Sequence, residues 1–157
     1  MERIWIYQAD RFLNEAEQEQ IAQTLAEFTS QWKAHGKKLA ATAEVRYGVF
    51  VILMVDDAVE VPSGCSIDKS VYLLKELEER LQVRLFDRLK VAYRPTPDAA
   101  IEVVSKDAFE QLIAEGKVTP ETIVFNNLVG EYGDLATKWE VPASQSWHAR
   151  VFGLAHV

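Results

Sequence analysis

The chain has one cysteine, three histidines, no long apolar run and fewer basic than acidic residues. One cysteine excludes an internal disulfide and suits a reducing compartment. The longest apolar stretch, Val49 to Val55, falls far short of the ~20 residues of a membrane helix, so no span is expected. The amino-terminal Met1-Glu2-Arg3-Ile4-Trp5 lacks the basic segment, apolar run and small residues of a secretory signal. Together these make the cytoplasm the expected location. A net charge of −7 disfavours duplex nucleic acid, whose phosphates need a basic footprint. With no His-x-x-x-His, no His-Glu-x-x-His and no cysteine pair, no metal site is expected, and no cofactor motif is present.

What remains is the balance of a globular protein, 48% hydrophobic and 26% charged residues in a length of 157. That length suits one domain with a proper core and is short for two. The charge is uneven along it. Thirteen Lys and Arg stand against fifteen Asp and Glu up to Arg94, and four against nine beyond. A basic strip at Arg80, Arg84, Arg88, Lys90 and Arg94 reads as a solvated rim.

Arg3 to Gln8 has the aromatic and β-branched density of a strand. Asn14 with Glu17 three residues on has capping-box spacing, and Ile21, Leu25, Phe28 and Trp32 follow on one helical face. His35-Gly36 is expected to stop that helix. Leu39 to Tyr47 alternates like a half-buried strand, and Val49 to Val55 is continuously apolar, like a central strand covered on both faces. Gly48 between them requires a tight hairpin or a bulge. A second helix is marked by Ile67, Val71, Leu74, Leu77 and Leu81, and Leu89 to Tyr93 reads as a further strand.

The order strand, helix, strand, strand, helix, strand is the ferredoxin-like βαββαβ order, an α+β fold with an antiparallel four-stranded sheet and two helices on one face. Residues 1–94 are thus the expected core of a single domain 1–157, with 95–157 as an extension packed on it. In the extension, Ile101 to Val104 reads as a strand, Ser105 caps a short helix bearing Phe109, Leu112 and Ile113, and Thr119-Pro120 can open one more turn before Thr122-Ile123-Val124-Phe125. Trp139, Trp147 and Phe152 belong to an irregular tail whose aromatics are expected to be buried.

Chemistry concentrates in Ser63-Gly64-Cys65-Ser66-Ile67-Asp68. If the second helix starts at Cys65 or Ser66, the amides of Ile67, Asp68 and Lys69 are free beside a thiol, a setting that attracts an anion and lowers a thiol pKa. Ser63, Gly64, Cys65, Ser66 and Asp68 are then ligand-binding residues. The same residues also serve as packing: Ser66 as the N-cap, Gly64 as a turn, Asp68 as a first-turn carboxylate, Cys65 as a buried filler. For a cysteine nucleophile the candidate bases are His35 and His148. His156 is expected to be disordered. Asp56 and Asp57 form the nearest approach to a metal site, and Asn126-Asn127 reads as a turn.

On four stretches, Gln31 to Gly36, Ser63 to Ser70, Val124 to Val129 and Ser146 to Arg150, the chain resembles a family of small bacterial proteins of unknown function, some labelled ABC transporter ATPase. The sequence departs from that label, having no Gly-x-x-x-x-Gly-Lys-Ser/Thr run anywhere. The first expected function is a non-catalytic binding module for a small anionic ligand or a partner protein, held at residues 63–68. The second is a thiol-dependent enzyme with Cys65 as nucleophile and His35 or His148 as base.

Overall fold

The computed structural model describes residues 1–155, and His156 lies outside them. The chain divides into two compact units: Met1–Asp87 with Gly130–Tyr132, and Arg88–Val129 with Gly133–Val157. Its class is α+β, with antiparallel sheets and, among the described residues, four α-helices.

In the first unit, β1 (Glu2–Gln8), β4 (Ala40–Arg46) and β5 (Phe50–Asp56) form a three-stranded sheet in the order β1-β5-β4, every pair antiparallel. The continuous apolar run from Val49 therefore does become the central strand. The helix α1 (Glu15–Gln31) starts with a complete capping box: the Asn14 side chain accepts from the Glu17 amide, and the Glu17 carboxylate accepts from the Asn14 amide. Ile21 and Leu25 of α1 join Leu74 and Leu77 of α2 (Gly64–Leu81) in one cluster with Val51 and Leu53, so both helices lie against the same face of the sheet. Phe50 and Ile52, on the other face of β5, are buried as well. Arg11 clamps the helix ends, donating to both carboxylate oxygens of Glu17 and to the Leu81 carbonyl at the end of α2.

One local expectation changes, and two further turns take their detail from the structure. His35-Gly36 does not stop α1, which ends at Gln31 with Trp32 in extended conformation. It is instead the two-residue tip of a hairpin between β2 (Lys33–Ala34) and β3 (Lys37–Lys38), both tip residues having positive φ, 53° and 75°. A glycine after a polar residue suits a helix stop and a I′ turn alike. Second, Tyr47 and Gly48 both have positive φ, 59° and 70°, as in a I′ turn. Arg46 nevertheless pairs with Phe50 rather than Val49, so one residue bulges out of register. A Cβ on Gly48 would meet the flexible end of Gln18 at 3.1 Å, so it is the positive φ that calls for glycine. Third, the carboxyl end of α2 closes on Gln82 in left-handed conformation, not on a glycine.

The ferredoxin-like arrangement does not form. The three strands have its order, with β5 inserted between β1 and β4, but the fourth expected strand, β6 (Lys90–Arg94), belongs to another sheet. That sheet is in the second unit and runs β7-β6-β8-β9, with β7 (Glu102–Ser105), β8 (Ile123–Phe125) and β9 (Glu140–Pro142), all pairs antiparallel. The physical reason lies in β7: it follows β6 after a short connection and pairs with it along four residues, a far more local partner than β1. The place beside β1 is taken only in part, by Gly130, whose carbonyl accepts from the Ile4 amide, and by a bridge from Arg3 to Glu131.

The second unit also contains α3 (Lys106–Ala114), capped by Ser105 as its sequence implies, and α4 (His148–Phe152). The expected irregular tail is thus largely regular. Trp139 is 1% exposed, packs edge-to-face on Phe125 and donates its indole N–H to Asn127 Oδ1 at 2.9 Å. Trp147, expected to be buried, is 38% exposed.

Candidate functional site

The helix α2 starts at Gly64, one residue before the earlier of the two expected starts, Cys65 and Ser66. Ser63, not Ser66, is the N-cap: its hydroxyl accepts from the Ser66 amide at 3.1 Å, and the Ser66 hydroxyl accepts from the Ser63 amide at 2.8 Å. A serine replaces the usual Glu or Gln at the third helical position, and its short side chain reaches back equally well. Ile67 already donates to the Ser63 carbonyl at 3.0 Å, so Ile67, Asp68 and Lys69 are not the open donors. Among the described residues, the amides without an acceptor are those of Gly64 and Cys65. The first turn holds no acidic residue, so Asp68 does not complement the dipole there.

Burial divides the motif. Ser66 is 1% exposed, and its carbonyl accepts from the Trp32 indole N–H at 2.8 Å. Gly64, Cys65 and Asp68 are exposed and Ser63 is half-buried. Cys65 is therefore not a buried filler, and its thiol makes no hydrogen bond among the described residues.

The Trp32 bond sets the hairpin β2–β3 beside this helix start. Lys33 lies directly opposite Lys38, and Lys37 opposite Ala34. All three lysines are exposed, as is Lys69. No carboxylate lies within ion-pair distance of any of the four among the described residues. The nearest acidic pair in sequence is already engaged. Asp57 pairs with the amino-terminal ammonium at 3.1 Å, which raises the ammonium pKa mainly through that bond, and Asp56 Oδ1 accepts from the Ala58 amide. No group of three or more His, Cys, Asp or Glu among the described residues is placed to hold a metal ion.

The two candidate bases have opposite settings. His35 sits exposed at the hairpin tip. His148, in the second unit, is 2% exposed, stacks on Trp147 at 3.7 Å and shares a 2.8 Å hydrogen bond between its Nδ1 and Ser146 Oγ. Burial holds its pKa down at about 4, so the ring is neutral near pH 7. Asn126 accepts from the Leu128 amide in a side-chain turn, and Asn127 is bound by Trp139. In the basic strip, Arg94 is no solvated rim: it pairs with Glu140 at 2.8 Å, bonds the Ala99 carbonyl and lies over Phe125.

The hairpin lysines form the part of this corner that sequence reasoning missed. Its available signal was Lys33-Ala34-His35-Gly36-Lys37-Lys38, which places cations on both sides of a two-residue turn. Ser146 was missed as the partner of His148, and two residues of separation carry no signal of their own. No family model, curated protein or solved structure matches the chain.

Proposed function

We propose that the chain is a non-catalytic binding module that takes a small phosphate- or carboxylate-bearing anion at the corner between the start of α2 and the hairpin β2–β3. One observation carries the reading: Lys33 and Lys38 are held directly opposite each other on a ribbon two residues long, with no carboxylate within ion-pair distance among the described residues. Like charges directly opposite destabilise a strand pair, and a bound anion relieves that cost. Support comes from the Gly64 and Cys65 amides, which point two donors out of the positive end of an eighteen-residue helix. The lysines are notable because the chain as a whole is acidic, at −7.

The test is a titration of the folded protein with inorganic phosphate, read at the backbone amides of Gly64 and Cys65 by NMR. A saturable shift is expected, abolished in Lys33→Ala/Lys38→Ala and kept in Cys65→Ser. Absence of a saturable shift, or one indifferent to both lysines, overturns the reading. An anion-bearing partner protein in place of a small anion would share the lysine dependence but leave free phosphate weak.

A second reading, a thiol enzyme with Cys65 as nucleophile, is favoured by the exposure of the thiol. It needs a base, and His148 Nδ1 is already committed to Ser146. Cys65→Ser separates the two readings, since covalent chemistry does not survive it. The resemblance to small bacterial proteins brings no reaction to either, and a bacterial cytoplasm accommodates both.

A further inference from the structure

We propose that the anion taken at this corner is a diphosphate, two phosphates joined through one bridging oxygen, with its second phosphate held by Lys37 and Lys69; this rests on the binding reading above and narrows it to one chemical class of ligand.

Charge sets the number of phosphates. A terminal phosphate group carries about −1.5 to −2 near pH 7. Lys33 and Lys38, directly opposite each other, match one such group. Lys37 and Lys69 are then left over. Both are exposed, and neither has a carboxylate within ion-pair distance among the described residues. Asp68 precedes Lys69 in sequence without pairing with it, since neighbouring residues on a helix do not face each other. Of the ribbon's three ammonium groups, only that of Lys38 makes a hydrogen bond among the described residues, to the Leu39 carbonyl at 3.5 Å. Four lysines around one phosphate leave an excess of about two positive charges, which a second phosphate neutralises.

Position separates the two pairs. Side chains alternate between the faces of a strand, and residues directly opposite each other share a face. Lys33 and Lys38 therefore rise from one face of the ribbon, and Lys37, opposite Ala34, rises from the other. That second face is the inward one. Ala34 is buried in a cluster with Trp32, Leu39 and Val55, and the Trp32 indole reaches the Ser66 carbonyl at the start of α2. Lys69 stands on α2 one turn beyond Cys65, whose amide has no acceptor among the described residues. Lys37 and Lys69 thus serve the helix side of the ribbon, and Lys33 with Lys38 its outer side. A lone phosphate neutralises one pair and leaves the other. Two linked phosphates reach both across a ribbon only two residues long, and flexible lysine stems can follow them.

The experiment is isothermal titration calorimetry of the full chain with inorganic phosphate and with inorganic pyrophosphate at equal ionic strength, for the wild type, Lys37→Gln/Lys69→Gln and Lys33→Ala/Lys38→Ala. Glutamine keeps a polar stem at these exposed positions and removes the charge. The wild type is expected to bind pyrophosphate about tenfold or more tighter than phosphate, the gain of two further ion pairs. Lys37→Gln/Lys69→Gln is expected to bring pyrophosphate down to the affinity of phosphate and to leave phosphate unchanged. Lys33→Ala/Lys38→Ala is expected to lose phosphate altogether. Equal affinity of the wild type for the two anions overturns the proposal. So does a preference for pyrophosphate that survives in Lys37→Gln/Lys69→Gln, which would reflect the ligand's greater charge alone. In both cases phosphate binding that depends on Lys33 and Lys38 leaves the wider reading standing. Absence of binding by both anions overturns the proposal and that reading together.

Discussion

The first unit closes its core with two long capped helices on a three-stranded sheet, whereas the second relies on short elements and a run of rings in edge-to-face and stacked contact. That run goes from Tyr93 to Phe109 at 5.5 Å, on to Phe152 at 4.9 Å, and through His148 to Trp147. The difference lies in where the polar atoms end up. In the first unit the buried ones turn back to helix backbone, Thr29 to the Ala26 carbonyl, Ser70 to the Ile67 carbonyl and the Trp32 indole to the Ser66 carbonyl, and the rest sit at caps and ion pairs. In the second, polar atoms travel inward with the rings: the Tyr93 hydroxyl donates to Glu102 at 2.7 Å, Trp139 to Asn127, and Ser146 is bonded to His148. Burial and the Glu102 bond together push the Tyr93 phenol up to about 12. Stability that is spread over many residues in the first unit is concentrated in a few large side chains in the second.

The sharpest test of that contrast is Trp139→Ala. It removes a side chain 1% exposed together with its indole hydrogen bond, and the expected cost is about 3–5 kcal/mol. Chemical denaturation gives the size, and hydrogen exchange should show the loss of protection first in β8 and β9. A loss below about 1 kcal/mol would dissolve the contrast.

Acid should act next, and on different groups in the two units. His148 has its folded pKa lowered from 6.5 to about 4 by burial, so between these values the unfolded chain binds the extra proton. Its contribution is complete above pH 6.5, is lost as pH falls, and is exhausted near pH 4, a change of about 3 kcal/mol in all. Glu17 is held at about 2 against 4.5, first by the Arg11 side chain and then by the Asn14 amide. Its contribution is intact above 4.5 and lost only as pH falls towards 2. Denaturation midpoints between pH 7 and 4 should therefore fall for the wild type and flatten in His148→Phe. Equal slopes in the two proteins would place the acid sensitivity elsewhere.

The smallest expected effects are at the caps. Asn14→Ala and Ser63→Ala should each cost about 1 kcal/mol, read as a shift in denaturation midpoint without change in slope. A much larger loss at Ser63 would mean that the Trp32 bond to Ser66 depends on the cap.

These regions also differ in how far the sequence disclosed them. Asn14 and Glu17, the run from Val49 to Val55, and Ser105 before α3 are local signals whose meaning does not depend on distant partners, and each element forms where it is expected. Leu89 to Tyr93 was legible as a strand, which forms over Lys90–Arg94, but its sheet was not, because five residues of strand carry no record of whether β1 or β7 will pair with them. The helix start was displaced because Ser63 and Ser66 both have N-cap chemistry, and only the reciprocal bonds between them decide which one caps. Of the candidate site, the motif was readable but the lysine ribbon beside it was not. Bringing Lys33 and Lys38 face to face required a turn at His35-Gly36 that the same two residues disguise as a helix stop.

The indole of Trp32 gives this corner a built-in optical gauge. Its N–H is bonded to the Ser66 carbonyl in a buried position, and its ring leans on Phe28 at 5.0 Å, one residue before the first lysine of the ribbon. The emission of such an indole follows the electric field and hydrogen bonding around it. Taken as the difference from Trp32→Phe, since three other tryptophans also emit, charge arriving at the ribbon, or motion separating it from the helix, would be written in the colour of that fluorescence, with no label attached.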